Sequence, residues 1–146
     1  MDVIGQIINA ILNVHPLHSP IVHFPIGLTG GAFVFILLAR WRRNESLEHA
    51  AFYMIALAAV STIAAGLTGM RDNLVRFEGG APLVLPKIIL AITLFTLTTI
   101  TALSRWRKRE LLWSPKTTVL YMGAFAGSFL IAITLGFMGG VILYGL

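Results

Sequence analysis

The sequence predicts an all-α integral membrane protein: a bundle of four membrane-spanning helices preceded by a short interfacial helix. The 146 residues are 57% apolar and only 12% charged, whereas a soluble domain has about 25% charged residues. Mean hydropathy is +0.85. Four stretches also reach the about 20 mostly apolar residues that a membrane helix needs. With so little charge, the chain lacks the polar surface of a soluble domain.

The elements follow in order along the chain. The segment over about residues 2–14 is too short to span a bilayer, and its polar side chains fall roughly on one face, as in a helix lying at the membrane surface. Membrane helices are predicted over about residues 21–41, 50–70, 84–103 and 118–143. The connecting loops are too short to separate domains, so residues 1–146 are predicted to form a single membrane domain.

The distribution of Lys and Arg predicts the orientation, because cytoplasmic loops carry an excess of basic residues. One side carries eight of them: Arg40, Arg42, Arg43, Arg105, Arg107, Lys108, Arg109 and Lys116. The other side carries three: Arg71, Arg76 and Lys87. We therefore expect a multi-pass protein of the bacterial cytoplasmic membrane with both termini on the periplasmic side. The net charge of +5 is explained by topology, so the expected partners are the lipid bilayer and other membrane subunits, and no nucleic acid.

Residues 15–27 contain three of the four histidines, His15, His18 and His23. His23 stands between two prolines in the first turns of the first membrane helix, one turn before Gly27. An ionisable residue inside a membrane segment indicates a functional site, and neutral imidazole is a common ligand of haem iron. We therefore predict that His23 faces the bundle near the outer surface and contacts haem or quinone. The alternative is a histidine hydrogen-bonded to Asp72 or to a carbonyl group.

The predicted topology gathers further candidate ligands at the same end. His23 is the predicted metal ligand, and haem b is the first candidate cofactor; a quinone, a chlorophyll-type pigment or no cofactor are the alternatives. Met70, Met138 or Lys87 would supply the second axial ligand, and Arg71 or Lys87 would stabilise a reduced quinone. The candidate cofactor-binding residues are His23, His18, Lys87, Arg71, Met70 and Met138.

Other chemistry is poorly supported. The histidine spacing matches no standard zinc pattern, and no nucleophile–base pair or phosphate-binding loop stands out, so no independent catalytic activity is expected. His49 is alone at the basic side and is expected to pair with Glu45, four residues earlier.

Residues 18–28, with the sequence HSPIVHFPIGL, resemble the signature of a bacterial four-helix membrane family of unknown function. Its members begin with a pattern like His-Pro-x-x-Val-His-Phe-Pro-Ile-x-Leu. Residues 66–72 and 136–144 are similar to the ends of that family's second and fourth helices. Family members also occur beside Rieske or c-type cytochrome modules, which implies electron transfer. In this chain the first proline is displaced to Pro20, and Lys87 stands where relatives commonly have a histidine.

Two functions are therefore predicted. The first is a small redox-associated subunit of a respiratory or photosynthetic electron-transfer complex. The second is an accessory subunit without a cofactor of its own. The small residues Gly123, Gly127, Gly136 and Gly140 favour contacts with other membrane proteins around the fourth membrane helix, because small residues let helices approach closely.

Overall fold

The computed structural model describes residues 2–10 and 17–144, the last two by their backbone alone. All regular structure in these residues is helical, which confirms the all-α class. Four of the five helices are long and apolar enough to cross a membrane. The helices are α1 Val3–Asn9, α2 His18–Arg42, α3 Glu45–Phe77, α4 Val84–Arg107 and α5 Thr118–Tyr144.

The four long helices form a bundle in which each packs against two neighbours. α2 contacts α3 and α5, and α4 contacts the same two helices. Successive helices are antiparallel, since the start of α2 is bonded to the end of α3 and the start of α3 to the end of α4. We call the end that carries residues 43–44 and 108–117 the basic end, and the end that carries His18 and residues 78–83 the histidine end.

Local signals fix the limits of α3. The side chain of Asn44 caps its first turn by accepting a hydrogen bond from the main-chain N–H of Leu47 at 3.2 Å. Glu45 and Glu48 follow in that turn, where the helix dipole favours negative charge. The helix ends at Glu78, which has a left-handed backbone with φ of 49°.

Some helix limits differ from the sequence-based limits. α2 begins at His18 rather than near residue 21, and α3 continues to Phe77 rather than ending near residue 70. Arg76 is therefore helical, not part of a loop. The apolar run stops at Arg71, but the helix continues because Asp72 is neutralised by Arg71 and bonded to α2. At the N-terminus α1 covers Val3–Asn9, and residues 11–14 of the predicted interfacial helix lie outside the described residues.

The buried positions repeat every three or four residues along the long helices, apart from a seven-residue step between Ala65 and Asp72 on α3, and this is the spacing of a coiled-coil seam. Many of them are small or hydroxyl-bearing, so the helices approach closely. Phe33 on α2 and Phe129 on α5 stack with ring centres 5.9 Å apart. The buried residues of the seams are Pro25, Thr29, Ala32, Ile36 and Ala39 on α2; Glu48, Ala51, Ile55, Ala58, Thr62, Ala65 and Asp72 on α3; Leu94, Thr98, Thr101 and Arg105 on α4; and Tyr121, Phe125, Ser128 and Ala132 on α5.

Candidate functional site

The histidine end brings together side chains from three helices, and a glycine of α5 adjoins them. We call His18, Gly69, Asp72 and Lys87 the His18 cluster. Each lies on the same helix face as the buried positions of its helix. His18 is seven residues before the buried Pro25, and Lys87 is seven before the buried Leu94. A seven-residue step returns to nearly the same face of a helix. The cluster therefore caps the interior of the bundle.

The ring of His18 is held between α2 and α3. Its Nδ1 lies 2.9 Å from the main-chain oxygen of Ala65. Since a carbonyl oxygen only accepts, Nδ1 carries the proton, and in the neutral ring Nε2 keeps its lone pair. The ring also lies against Gly69, where a Cβ atom would be 3.1 Å from it. Gly69 thus leaves the space that the imidazole fills.

Asp72 fixes the start of α2 from the neighbouring helix. Its Oδ2 accepts a hydrogen bond from the main-chain N–H of His18 at 2.9 Å, and its Oδ1 accepts one from Nη1 of Arg71 at 2.8 Å. The first N–H groups of a helix have no partner within it, and Leu17 at the N-cap provides no side-chain bond. Asp72 therefore acts as a cap supplied by another helix.

Lys87 brings a cation into the same region from α4. Its side chain is half-buried, and its Nζ lies 4.0 Å from the position of a Cβ on Gly139 of α5. Its ammonium lies at the same end of the bundle as the His18 ring. It forms no ion pair with a described residue. The cluster therefore combines an imidazole nitrogen and a cation that have no partner among the described residues.

The predicted orientation of His23 was wrong. Its side chain is exposed on the outer face of α2, and its Nδ1 donates to the main-chain oxygen of Ser19 at 2.7 Å. His23 is two residues before the buried Pro25, so it points to nearly the opposite side of the helix. Of the expected partners of His23, the carbonyl is the one it meets, because Asp72 bonds His18 instead. Whether His23 holds a cofactor remains a prediction.

Some of the other predicted site residues face the interior of the bundle, and some lie on its outer surface. His18, Arg71 and Lys87 all lie at the histidine end, the end to which the predicted topology assigned them. Met70 is 62% exposed and points away from the bundle, whereas Met138 is half-buried on α5. His15 lies outside the described residues.

Sequence reasoning missed a second polar cluster, at the basic end. We call Glu48, Arg105 and Tyr121 the Glu48 cluster; their exposed fractions are 1%, 5% and 4%. Nε of Arg105 donates to Oε1 of Glu48, and Nη2 donates to Oε2 at 2.6 Å. The hydroxyl of Tyr121 donates to Oε1 at 3.2 Å. Both carboxylate oxygens are thus occupied, so this cluster joins α3, α4 and α5 and offers no free ligand.

The seam spacing is the signal that could have found this cluster. Glu48 is seven residues before Ile55, Arg105 is seven after Thr98, and both were assigned to loops because they lie beyond the apolar runs. His49, beside Glu48, is exposed. Its Nδ1 donates to the main-chain oxygen of Glu45 at 2.8 Å and lies 3.9 Å from Oε2 of Glu48. The expected pairing with the Glu45 carboxylate is replaced by this main-chain bond.

Among the described residues, no three His, Asp or Glu side chains form a group that could hold a metal ion. A sequence model of the family described as "Predicted membrane protein (DUF2231)" matches residues 14–145. The chain belongs to the DUF2231 family. No curated protein and no solved structure matches the chain. The DUF2231 match contains both polar clusters and all four long helices, and it supports the multi-pass membrane assignment.

Proposed function

We propose that this DUF2231 protein is a redox-associated membrane subunit that binds a quinone or a haem at the His18 cluster. The observation that carries the proposal is a half-buried imidazole at the same end of the bundle as a half-buried ammonium. Among the described residues, Nε2 of His18 has no hydrogen-bond partner and the ammonium of Lys87 has no ion-pair partner. Polar groups at membrane depth are costly unless they serve a ligand or a partner. The subunit would have no catalytic activity of its own and would exchange electrons with a larger complex.

The cluster has the hydrogen-bonding groups that a quinone headgroup needs. Nε2 of His18 accepts a hydrogen bond from a quinol hydroxyl, because Nδ1 is already engaged with Ala65. The ammonium of Lys87 donates to a quinone oxygen and favours the negative charge that develops there on reduction. Arg71 is committed to Asp72, so Lys87 is the better candidate for that role.

The same imidazole also suits a haem. A metal-binding histidine usually donates its other ring N–H to a carbonyl or carboxylate, which fixes the ring orientation, and His18 makes this bond to Ala65. Haem bound there would supply one-electron redox chemistry. Met138 or Lys87 is the candidate second ligand from this chain, since Met70 points outward.

The packing of α4 and α5 supports a ligand at the histidine end. Residues 84–93 of α4 and 133–142 of α5 include no fully buried residue, whereas the seams are tightly buried nearer the basic end. The partly exposed faces of α4 and α5 at this end leave a surface that a quinone headgroup or a haem can cover. The Glu48 cluster holds the opposite end together, so a ligand here would not have to break the bundle.

The exposed face of α2 favours a second candidate function, that of an accessory subunit. His23 and Phe24 are exposed on this face, Phe24 by 64%, and nothing lies within 4 Å of a Cβ placed on Gly27. A flat ligand or a partner helix fits beside His23 there. On α5, Gly123 and Gly140 are similarly open, whereas Gly127 and Gly136 already face Leu97 and Ile26.

The proposal includes the location and the partners. The basic end would lie in the cytoplasm and the His18 cluster near the periplasmic surface of a bacterial cytoplasmic membrane, in keeping with the charge bias. The resemblance to proteins found beside Rieske or c-type cytochrome modules supports an electron-transfer complex as the partner.

Bound cofactor analysis tests the proposal. The full chain, purified in mild detergent, should carry a quinone in its solvent extract or show a Soret band. His18→Gln and Lys87→Gln should each reduce that occupancy, while His49→Gln, at the other end, should not. If His23→Gln alone removes the cofactor, the site is on the exposed face. Wild-type protein with neither quinone nor Soret absorbance overturns the redox function and favours the accessory subunit.

A further inference from the structure

The basic end contains a surface site that the redox proposal does not use. Arg40, Arg43, Glu45 and Trp113 line a shallow cavity of about 310 Å³ between the end of α2, the start of α3 and the loop before α5. Both arginines are exposed, and neither forms an ion pair with a described residue. Two guanidinium groups beside one carboxylate give the cavity a net positive charge.

The loop that carries Trp113 is firmly held. Leu112 is fully buried in the core, and the hydroxyl of Thr118 donates to its main-chain oxygen at 2.8 Å. The main-chain N–H of Trp113 donates to the oxygen of Glu110 at 3.0 Å. One wall of the cavity is therefore preformed, which lowers the ordering cost of binding a ligand.

Arg43 occupies a position where glycine is favoured. It ends α2 with a left-handed backbone, φ of 49°, and its N–H bonds the oxygen of Ala39. Glycine is the usual residue at such helix ends because a side chain is strained there. Arg43 therefore keeps a charged side chain at the edge of the cavity, at a position where glycine would relieve the backbone.

We propose that Arg40, Arg43 and Trp113 bind the phosphate headgroup of an anionic phospholipid. Arginine recognises phosphate through its fork of N–H donors, and tryptophan concentrates at the headgroup level of membranes. Trp41, which is 77% exposed, lies at the same level. Leu37 is exposed one turn deeper than Arg40, where it meets an acyl chain. This apolar continuation distinguishes a lipid from free phosphate.

Lipid titration followed by native mass spectrometry tests the site on the full chain in detergent. Phosphatidylglycerol should bind more tightly than zwitterionic phosphatidylcholine. Arg40→Gln and Arg43→Gln should each weaken the binding of phosphatidylglycerol about fivefold, since a basic residue near an anionic membrane contributes about 1 kcal/mol. Glu45→Gln should strengthen the binding of phosphatidylglycerol, because it removes the carboxylate that lines the cavity. Arg42→Gln is the matched control, because Arg42 lies over the ring of Trp41 instead of lining the cavity.

Arg43→Gly separates binding from folding. It should raise the unfolding temperature in detergent without added lipid, because glycine suits the left-handed backbone, and still lower the affinity for phosphatidylglycerol. The proposal is overturned if Arg42→Gln weakens binding as much as Arg40→Gln, or if both lipids bind alike. Complete competition by inorganic phosphate overturns the lipid assignment and indicates a soluble phosphate ligand.

Discussion

Arg105 on α4 and Glu48 on α3 form a bidentate ion pair that is almost completely buried, although they are 57 positions apart in the chain. Tyr121 extends this contact to α5. The Glu48 cluster therefore connects three helices at the basic end.

Breaking this pair should destabilise the bundle strongly. Glu48→Gln and Arg105→Gln should each lower the free energy of unfolding by about 3 kcal/mol, because the remaining charge stays buried without its partner. Unfolding in detergent, followed by circular dichroism, measures the effect. The double variant should cost less than the sum of the two single variants. Glu110→Gln, at an exposed position of the same end, is the control; an equal loss there would show that the pair has no special role.

Two glycines of α2 should respond oppositely to alanine. A Cβ on Gly30 would lie 2.9 Å from Cε2 of Phe129, whereas a Cβ on Gly27 meets nothing within 4 Å. Gly30→Ala should cost about 1–3 kcal/mol by overpacking the α2–α5 contact. Gly27→Ala should be neutral or stabilise by up to about 1 kcal/mol through helix propensity. Thermal unfolding of the two variants side by side measures this, and equal behaviour would contradict the packing.

The end of α3 should be improved by glycine. Glu78 is the C-cap and has φ of 49°, a conformation that costs a non-glycine residue about 1 kcal/mol. Glu78→Gly should therefore raise the unfolding temperature. Gly79 has φ of 83°, so Gly79→Ala should lower it. A stabilising Gly79→Ala would show that this turn adopts another backbone.

Cysteine labelling tests the proposed orientation, and the chain is convenient because it contains no cysteine. Pro82 and Lys108 are exposed at opposite ends of the bundle. Cysteine at Pro82 should react with a membrane-impermeant maleimide in intact cells, and cysteine at Lys108 only after permeabilisation. Pro82 is preferable to Gly79, whose positive φ would strain a cysteine. The reverse pattern would place the His18 cluster in the cytoplasm.

The sequence by itself determined the fold class and the grouping of residues by end. Four apolar runs of membrane length leave few alternatives to a helical bundle, because helices satisfy their backbone hydrogen bonds within a bilayer. The short loops bring His18, Arg71 and Lys87 to one end whatever the detailed packing. The end of α3 was less well predicted. The apolar run ends at the first charged residue, and hydropathy does not show that Asp72 bonds the main chain of His18 on another helix.

The tertiary structure decided which side chains face inward. His18 and His23 are five residues apart, so they point about 140° apart around α2, and only the packing of α2 against α3 selects His18. The Glu48 and Arg105 pair was hidden for a related reason. A charged residue beyond an apolar run looks solvated until a partner from a distant part of the chain satisfies it, and that partner is defined by helix packing rather than by local sequence.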